Sequence, residues 1–194
     1  MMRMMEALLG LLVIMQMSAP AVVHDAPQKA KMNALLVYGN GFMFGVTEPD
    51  GWVGDTSDKA TRRVVNIIFF PKDKASKSQG VKVMIRISPK VDENTADALL
   101  ADIAGYKRKF PSLEQEDLSL QHPEYKTIAK LIFTRDSLYE YIAYLNPGPG
   151  TQFVFSVVLY KTRSRASKPE LQAFEEVLKS VRLLSAPGFK VIKG

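Results

Sequence analysis

From Phe42 onward, apolar and polar residues alternate with two different periods, and the switches between them divide the chain into elements. Phe42 to Val46 alternates aromatic with smaller residues and reads as a strand. Pro49-Asp50-Gly51 follows as a turn, since proline fixes φ and glycine tolerates positive φ. Trp52, the only tryptophan, comes directly after it. Val64 to Phe70 is an apolar, β-branched run ended by Pro71, and Lys72 to Gly80 is a charged loop. Val81, Val83, Ile85 and Ile87 then share one strand face, with Lys82 and Arg86 on the other, the pattern of a strand with one wet side.

At Asn94 the period changes. Leu99, Ile103, Tyr106 and Phe110 recur at helical spacing, with Asn94 as the cap and Asp97 in the first turn. Lys107, Arg108 and Lys109 crowd the last turn, where cations suit the helix dipole, and Pro111 ends the helix. Three strands follow, Lys126 to Thr134, Leu138 to Leu145 and Phe153 to Tyr160. Arg135-Asp136-Ser137 is short enough to make the first two a hairpin, and Asn146-Pro147-Gly148-Pro149-Gly150 is a wider, stiffer connection. Tyr139 and Tyr141 share a face in the middle strand, and Tyr144 takes the other. Ser167 and Glu170 form a capping box for a last helix that turns Leu171, Phe174, Leu178 and Val181 inward. Three strands, a helix, three strands and a helix predict an α+β domain: a largely antiparallel sheet of about six strands covered by two amphipathic helices.

The N-terminal segment follows different rules. Arg3 precedes an apolar run from Ala7 to Met17, and Ala19-Pro20-Ala21 places small residues where a signal peptidase reads. The run is shorter than the roughly 20 apolar residues of a membrane span. It matches a signal peptide over residues 1–21, with cleavage after Ala21 or, as the alternative, after Ala26. The expected organisation is a signal peptide at 1–21, a flexible lead-in at 22–38, one α+β domain at 39–185 and a C-terminal tail at 186–194. The product is expected to be exported and soluble, in the periplasm or secreted, with no transmembrane segment after signal removal.

Composition narrows the chemistry. With 194 residues the chain can bury a core without covalent staples. The absence of cysteine removes disulfides, thiol nucleophiles, thiolate metal sites and a lipid anchor on cysteine. The two histidines, His24 and His122, fit no metal spacing and read as exposed side chains. No Gly-x-Ser-x-Gly elbow supports a hydrolytic serine, and Gly39-Asn40-Gly41 is too short to cradle phosphate. Glu114, Glu116 and Asp117 read as an acidic loop without calcium-site spacing. No catalytic residue, metal site or cofactor is therefore expected. A net charge of +6 favours anionic surfaces, although the basic residues are scattered among acidic ones. Lys161, Arg163, Arg165 and Lys168, taken together with Lys107, Arg108 and Lys109, are the expected anionic contact surface. Trp52 either plugs one end of the sheet or lines a ligand cleft.

The Phe42-Met43-Phe44 strand, the Pro49-Asp50-Gly51-Trp52 turn, the Tyr141-Ile142-Ala143-Tyr144 strand, Phe153 to Leu159 and the closing helix through Ser180-Val181-Arg182 carry a resemblance over residues 40 to 184. In this order they resemble the Mog1/PsbP-like fold, which includes bacterial exported proteins of the DcrB type. The resemblance implies an α/β/α sandwich that is non-catalytic and docks onto larger assemblies. Partners across that family range from photosystem II to a small nuclear GTPase and envelope components, and nothing in this sequence selects among them. The expected function is an exported accessory protein acting through protein–protein contacts in the cell envelope, with an anionic lipid or polymer surface as a further contact and no nucleic acid. The alternative is a small-ligand or lipid-binding module with a cleft near Trp52. An enzyme, a hydrolase relying on carboxylates, is the least favoured of the three.

Overall fold

A computed structural model describes residues 34–39, 42–57, 65–74, 80–90, 95–134 and 137–184. The expected signal peptide, His24, the Asn94 cap and the C-terminal tail lie outside the described residues. Among the described residues, ten strands and two α-helices run in the order β1 (Ala34–Gly39), β2 (Phe42–Thr47), β3 (Trp52–Asp55), β4 (Ile67–Pro71), β5 (Val81–Pro89), α1 (Thr95–Lys109), β6 (Glu114–Asp117), β7 (Lys126–Thr134), β8 (Leu138–Asn146), β9 (Phe153–Thr162), α2 (Lys168–Ser180) and β10 (Arg182–Leu183). Seven strands form one sheet in the order β3-β4-β5-β9-β8-β7-β6, and β1-β2-β10 form a second. Every pairing among them is antiparallel. The fold is α+β, as the sequence predicts, with more strands than the expected six.

Alternation along the three central strands decides which layer each residue enters. Val83 and Ile85 of β5, Phe155, Val157 and Leu159 of β9, and Tyr141, Ala143 and Leu145 of β8 point to one face. There they meet Ala173, Phe174, Val177 and Leu178 of α2 and Val37, Phe44 and Val46 of the small sheet. The Phe44 and Phe155 rings pack edge to face 5.4 Å apart. On the opposite face Leu99 and Ile103 of α1 pack on Ile132, Ile142, Tyr144 and Val154. Helix α2 begins as expected, with the Ser167 backbone N–H donating to Glu170 Oε2 at 2.7 Å. The Pro49–Trp52 turn also forms, with Trp52 N–H donating to the Pro49 carbonyl at 3.1 Å and Gly51 at φ 75°.

Four expectations change. Residues 34–38 of the expected lead-in belong to β1, which pairs with β2 in the register Val37↔Phe44. Only Val37 of this strand is fully buried, so its apolar signal is weak. Glu114–Asp117 is not a loop but the edge strand β6, paired to β7 through its backbone although all its side chains are exposed. Phe110 leaves the helical stripe, since α1 ends at Lys109, and is exposed.

His122 is the fourth, being buried where the sequence read it as exposed. Its Nδ1 accepts from the backbone N–H groups of Glu124 and Tyr125, both at 3.0 Å. In the neutral ring this puts the proton on Nε2, 2.9 Å from the Val181 carbonyl. The Arg182 guanidinium stands 2.8 Å from the same nitrogen, a cation that further disfavours the charged ring. Tyr125 stacks on the imidazole 4.3 Å away and accepts from Leu183 N–H through its hydroxyl at 2.9 Å. Together they tie the segment before β7 to the end of α2 and to β10.

Candidate functional site

The expected basic surface divides between the two sides of the large sheet. Lys161 points to the α2 side and pairs with Glu170 at 2.5 Å. Burial alone would raise the Glu170 carboxyl, but hydrogen bonds from Lys161 and Ser167 outweigh it and hold the group below its ordinary range. Arg165 forks onto Glu116, with Nη1 donating to Oε2 at 2.9 Å and Nη2 to Oε1, and lies over the Phe133 ring. That hydrogen-bonded pairing depresses the Glu116 carboxyl and raises the guanidinium. Lys168 opens α2, and Arg163 sits in the preceding turn at φ 69°. Lys107, Arg108 and Lys109 end α1, which packs on the other face, so the two basic groups do not form one surface.

Trp52 is likewise not in a cleft. It is 6% exposed and packed in the core on the α2 side, and it does not line the groove between sheet and helix. A cleft between sheet and helix does exist, on the opposite face. It is a groove of about 560 Å³, floored by β5, β9 and β8 and walled by Ala101, Asp102, Gly105, Tyr106, Arg108 and Lys109 of α1. Its volume is in the usual range of small-molecule sites, about 300–1,000 Å³. Arg108 and Lys109 are the only residues of the expected contact surface that line it.

Strand register composes the floor in rows. Arg86, Ser156 and Tyr144 lie side by side across β5, β9 and β8. Two residues along come Met84, Val158 and Ile142, and two further Lys82, Tyr160 and Glu140. The first row is polar and the second apolar, and of the third polar row Glu140 lines the groove while Lys82 and Tyr160 lie beyond it. Helix α1 sets Asp102 and Tyr106, one turn apart on one face, above the floor. Gly105 between them leaves the wall low, since a Cβ there would meet only Arg108 Nη2, at 3.7 Å.

Arg86 Nη2 donates to Asp102 Oδ2 at 2.8 Å and to the Tyr144 hydroxyl at 3.4 Å, and the Tyr144 hydroxyl itself bonds Asp102 Oδ2. Burial works against the Arg86 charge, but Tyr144 and Asp102 outweigh it and strengthen its hold on the proton. Burial, with the adjacent Asp102 carboxylate, pushes the Tyr144 hydroxyl well above the ordinary phenol range. At the other row the Tyr106 hydroxyl bonds Glu140, and burial together with that carboxylate raises Tyr106 strongly. Glu140 is 6% exposed. Burial raises its carboxyl further than Tyr106, Lys82 and Arg86 can lower it.

Three buried polar atoms in this groove have no hydrogen-bond partner among the described residues: Arg86 Nε, Glu140 Oε2 and Ser156 Oγ. A buried polar atom left without a partner costs about 1–3 kcal/mol. Three in one cleft mark a place where the fold leaves valences open. No group of three or more histidine, aspartate or glutamate side chains among the described residues is arranged to hold a metal ion.

Sequence reading missed this site because it assigned Lys82 and Arg86 to solvent and did not single out Glu140 or Ser156. The available signal lay in β8 and β9, whose near-continuous apolar runs imply burial on both faces. A carboxylate and a hydroxyl inside such runs need an explanation that an alternating strand would not.

No family model matches the chain, and no curated protein matches it. Among solved structures, the chain is similar to the solution structure of cyanobacterial PsbP (CyanoP) from Synechocystis sp. PCC 6803, at 11% identity and a TM-score of 0.47. The match covers 84% of this chain and 99% of that one. It is a likeness of fold, and no residue role passes across it.

Proposed function

We propose that this chain is a non-catalytic accessory protein of the cell envelope that works by binding, with the α1 groove as its site. The observation that carries the reading is that Arg86, Glu140 and Ser156, whose Nε, Oε2 and Oγ atoms are without a partner among the described residues, all line that groove. Each would gain a hydrogen bond from a polar occupant once a side-chain shift uncovers it, with no further loss of hydration, because burial has already removed it from water. A non-catalytic role is supported by what surrounds the groove hydroxyl. Ser156 Oγ has no base bonded to it, and His122 is engaged through both ring nitrogens in tying down Val181, Glu124 and Tyr125.

Gly105→Leu tests the reading, because a leucine there reaches into the groove while favouring the helix. In amide-resonance NMR with a chemically broad fragment library, wild-type protein should show shifts at the groove residues that the variant loses. Equal responses in both proteins would end the groove reading. Export is tested by the intact mass of the periplasmic fraction after expression of the full chain. A product starting at Val22 or Pro27 supports it, and an uncleaved cytoplasmic product removes it.

A second surface supports the protein–protein form of the same role. On the outward face of the small sheet Leu36 is 53% exposed and Tyr38 66%, with Leu184 alongside. The Leu36 and Leu184 methyls come within 3.9 Å and 3.7 Å of where a Gly45 Cβ would stand, so they flank one shallow strip. Leu36→Ser with Tyr38→Ser should abolish recovery of an envelope partner from extracts, and unchanged recovery would exclude this face.

A further inference from the structure

We infer that the α1 groove takes a neutral, polyhydroxylated ligand, a mono- or disaccharide; the inference rests on the reading of the groove as a binding site and names what it holds.

Charge balance is the first argument. The Arg86 guanidinium already has the Asp102 carboxylate 2.8 Å away, so it offers an anion no uncompensated charge. A carboxylate or phosphate placed against Arg86 Nε would also lie close to Asp102 and Glu140 and be repelled by both. An ammonium group seeking Glu140 Oε2 would meet Arg86, which lies close enough to act on that carboxyl. At the buried floor, ionic ligands of either sign therefore lose at one end what they gain at the other. Arg108 and Lys109 add positive charge on the wall, but both are exposed and their pull on an anion is screened by water and salt.

The open valences are of mixed kind. Arg86 Nε–H can only donate, Glu140 Oε2 in its ionised form can only accept, and Ser156 Oγ can do either. A hydroxyl also does both. Hydroxyls spread over one or two rings could accept from Arg86 Nε, donate to Glu140 Oε2 and exchange a bond with Ser156, with no net charge entering a buried site. The apolar row of Met84, Val158 and Ile142 lies between the polar rows and suits the C–H face of a sugar ring, and Tyr106 and Tyr144 supply aromatic walls. The two polar rows are four residues apart along each strand, roughly 13 Å, a span for one or two rings.

A peptide carries donors and acceptors too, but peptide grooves that read backbone need a free strand edge. Strands β5, β9 and β8 are each paired on both sides, so the floor offers side-chain groups only.

The test is an NMR titration of the full chain with methyl glucoside, maltose and N-acetylglucosamine. Glucuronate, glucosamine, inorganic phosphate and N-acetylglycine N-methylamide are run in parallel. The expected result is shifts centred on Arg86, Gly105, Tyr106, Glu140 and Ser156, with at least one neutral sugar binding tenfold or more tightly than every charged or peptide probe. Gly105→Leu should weaken that sugar at least tenfold with its folded spectrum intact, and Ser156→Ala should weaken it several-fold. Tighter binding of phosphate, glucuronate, glucosamine or the peptide amide overturns the saccharide assignment and leaves the groove as a binding site. Failure of every neutral sugar to shift the groove resonances overturns the assignment as well. The binding reading itself falls only if the broad fragment library also fails to distinguish wild type from Gly105→Leu.

Discussion

On the face of the large sheet covered by α2 and the small sheet, four fully buried aromatic or branched side chains, Phe44, Phe155, Phe174 and Leu159, interlock with β-branched neighbours. On the α1 face the helix lies mainly over β7 and β8, and the apolar cluster reaches β9 through Val154 and Val158. The rest of that face carries Arg86, Ser156, Tyr144 and Glu140, partly bonded and partly open. Both faces belong to the same three central strands, so backbone propensity does not separate them. What separates them is the residue type at alternate positions: the odd-numbered side chains of β5, β8 and β9 build the core and the even-numbered ones build the groove. One face stabilises the fold, and that leaves the other free to hold polar groups that contribute little to stability or oppose it.

The comparison breaks if matched truncations cost the same on both faces. Leu159→Ala on the α2 face should lose about 4 kcal/mol, near the upper end for buried leucine. Leu99→Ala beneath α1 should lose only about 2–3 kcal/mol, because the adjacent groove lets the helix settle. Urea unfolding monitored by Trp52 fluorescence measures both, and equal losses would mean that the faces share the load.

A smaller effect, about 1–2 kcal/mol, is expected from His122→Asn, which removes the ring that joins Glu124 and Tyr125 to Val181. Burial lowers the His122 pKa in the folded protein, so the unfolded chain binds the proton more readily. The histidine's contribution is therefore complete above its unfolded pKa, about 6.5. It is lost as pH falls from there toward the lower folded value, and the gap between wild type and variant should narrow over the same interval. A gap that is constant from pH 8 to pH 5 would show that the ring is not held neutral.

Glu140→Gln sharpens the contrast in the opposite direction, since it should stabilise the protein by about 1 kcal/mol at pH 8 by removing a buried carboxylate. Because the folded pKa is raised, the folded state binds the proton more readily, and the cost of ionisation disappears as pH falls through the folded value toward the unfolded one. The gain from glutamine should fade by about pH 4. Thermal unfolding across pH measures it, and a variant less stable than wild type at pH 8 would show that the carboxylate is adequately paired. The smallest effect belongs to Arg165→Ala, whose fork onto Glu116 is solvent-exposed and should leave the melting temperature unchanged within error.

The layers were legible in sequence wherever a residue's surroundings are set by its own period. Val81 to Ile87, Leu99 with Ile103, and Phe174 with Leu178 all face where their spacing says. The shape of the Pro49–Trp52 turn and the start of α2 were also readable, because proline, glycine and the Ser167–Glu170 pair act within a few residues. What escaped depends on partners distant in sequence. Strand β6 exists because β7 offers it a backbone edge, and β10 because β2 does. His122 is buried because Val181, nearly sixty residues later, closes over it. The groove escaped for the same reason, since Arg86, Asp102, Glu140 and Ser156 come from four elements and become one site only once the register is set.

The small sheet places β2 between the first and the last strands described, so its two hydrogen-bonded neighbours come from opposite ends of the folded region. A chain emerging from a ribosome or threading through a membrane pore would present β2 long before Arg182 and Leu183 exist to pair with it. Until then one edge of β2 is open, and the exposed Leu36 and Tyr38 stand beside it. During synthesis, completion of this sheet therefore waits on the arrival of the final strand, as any pairing between distant parts of a chain must.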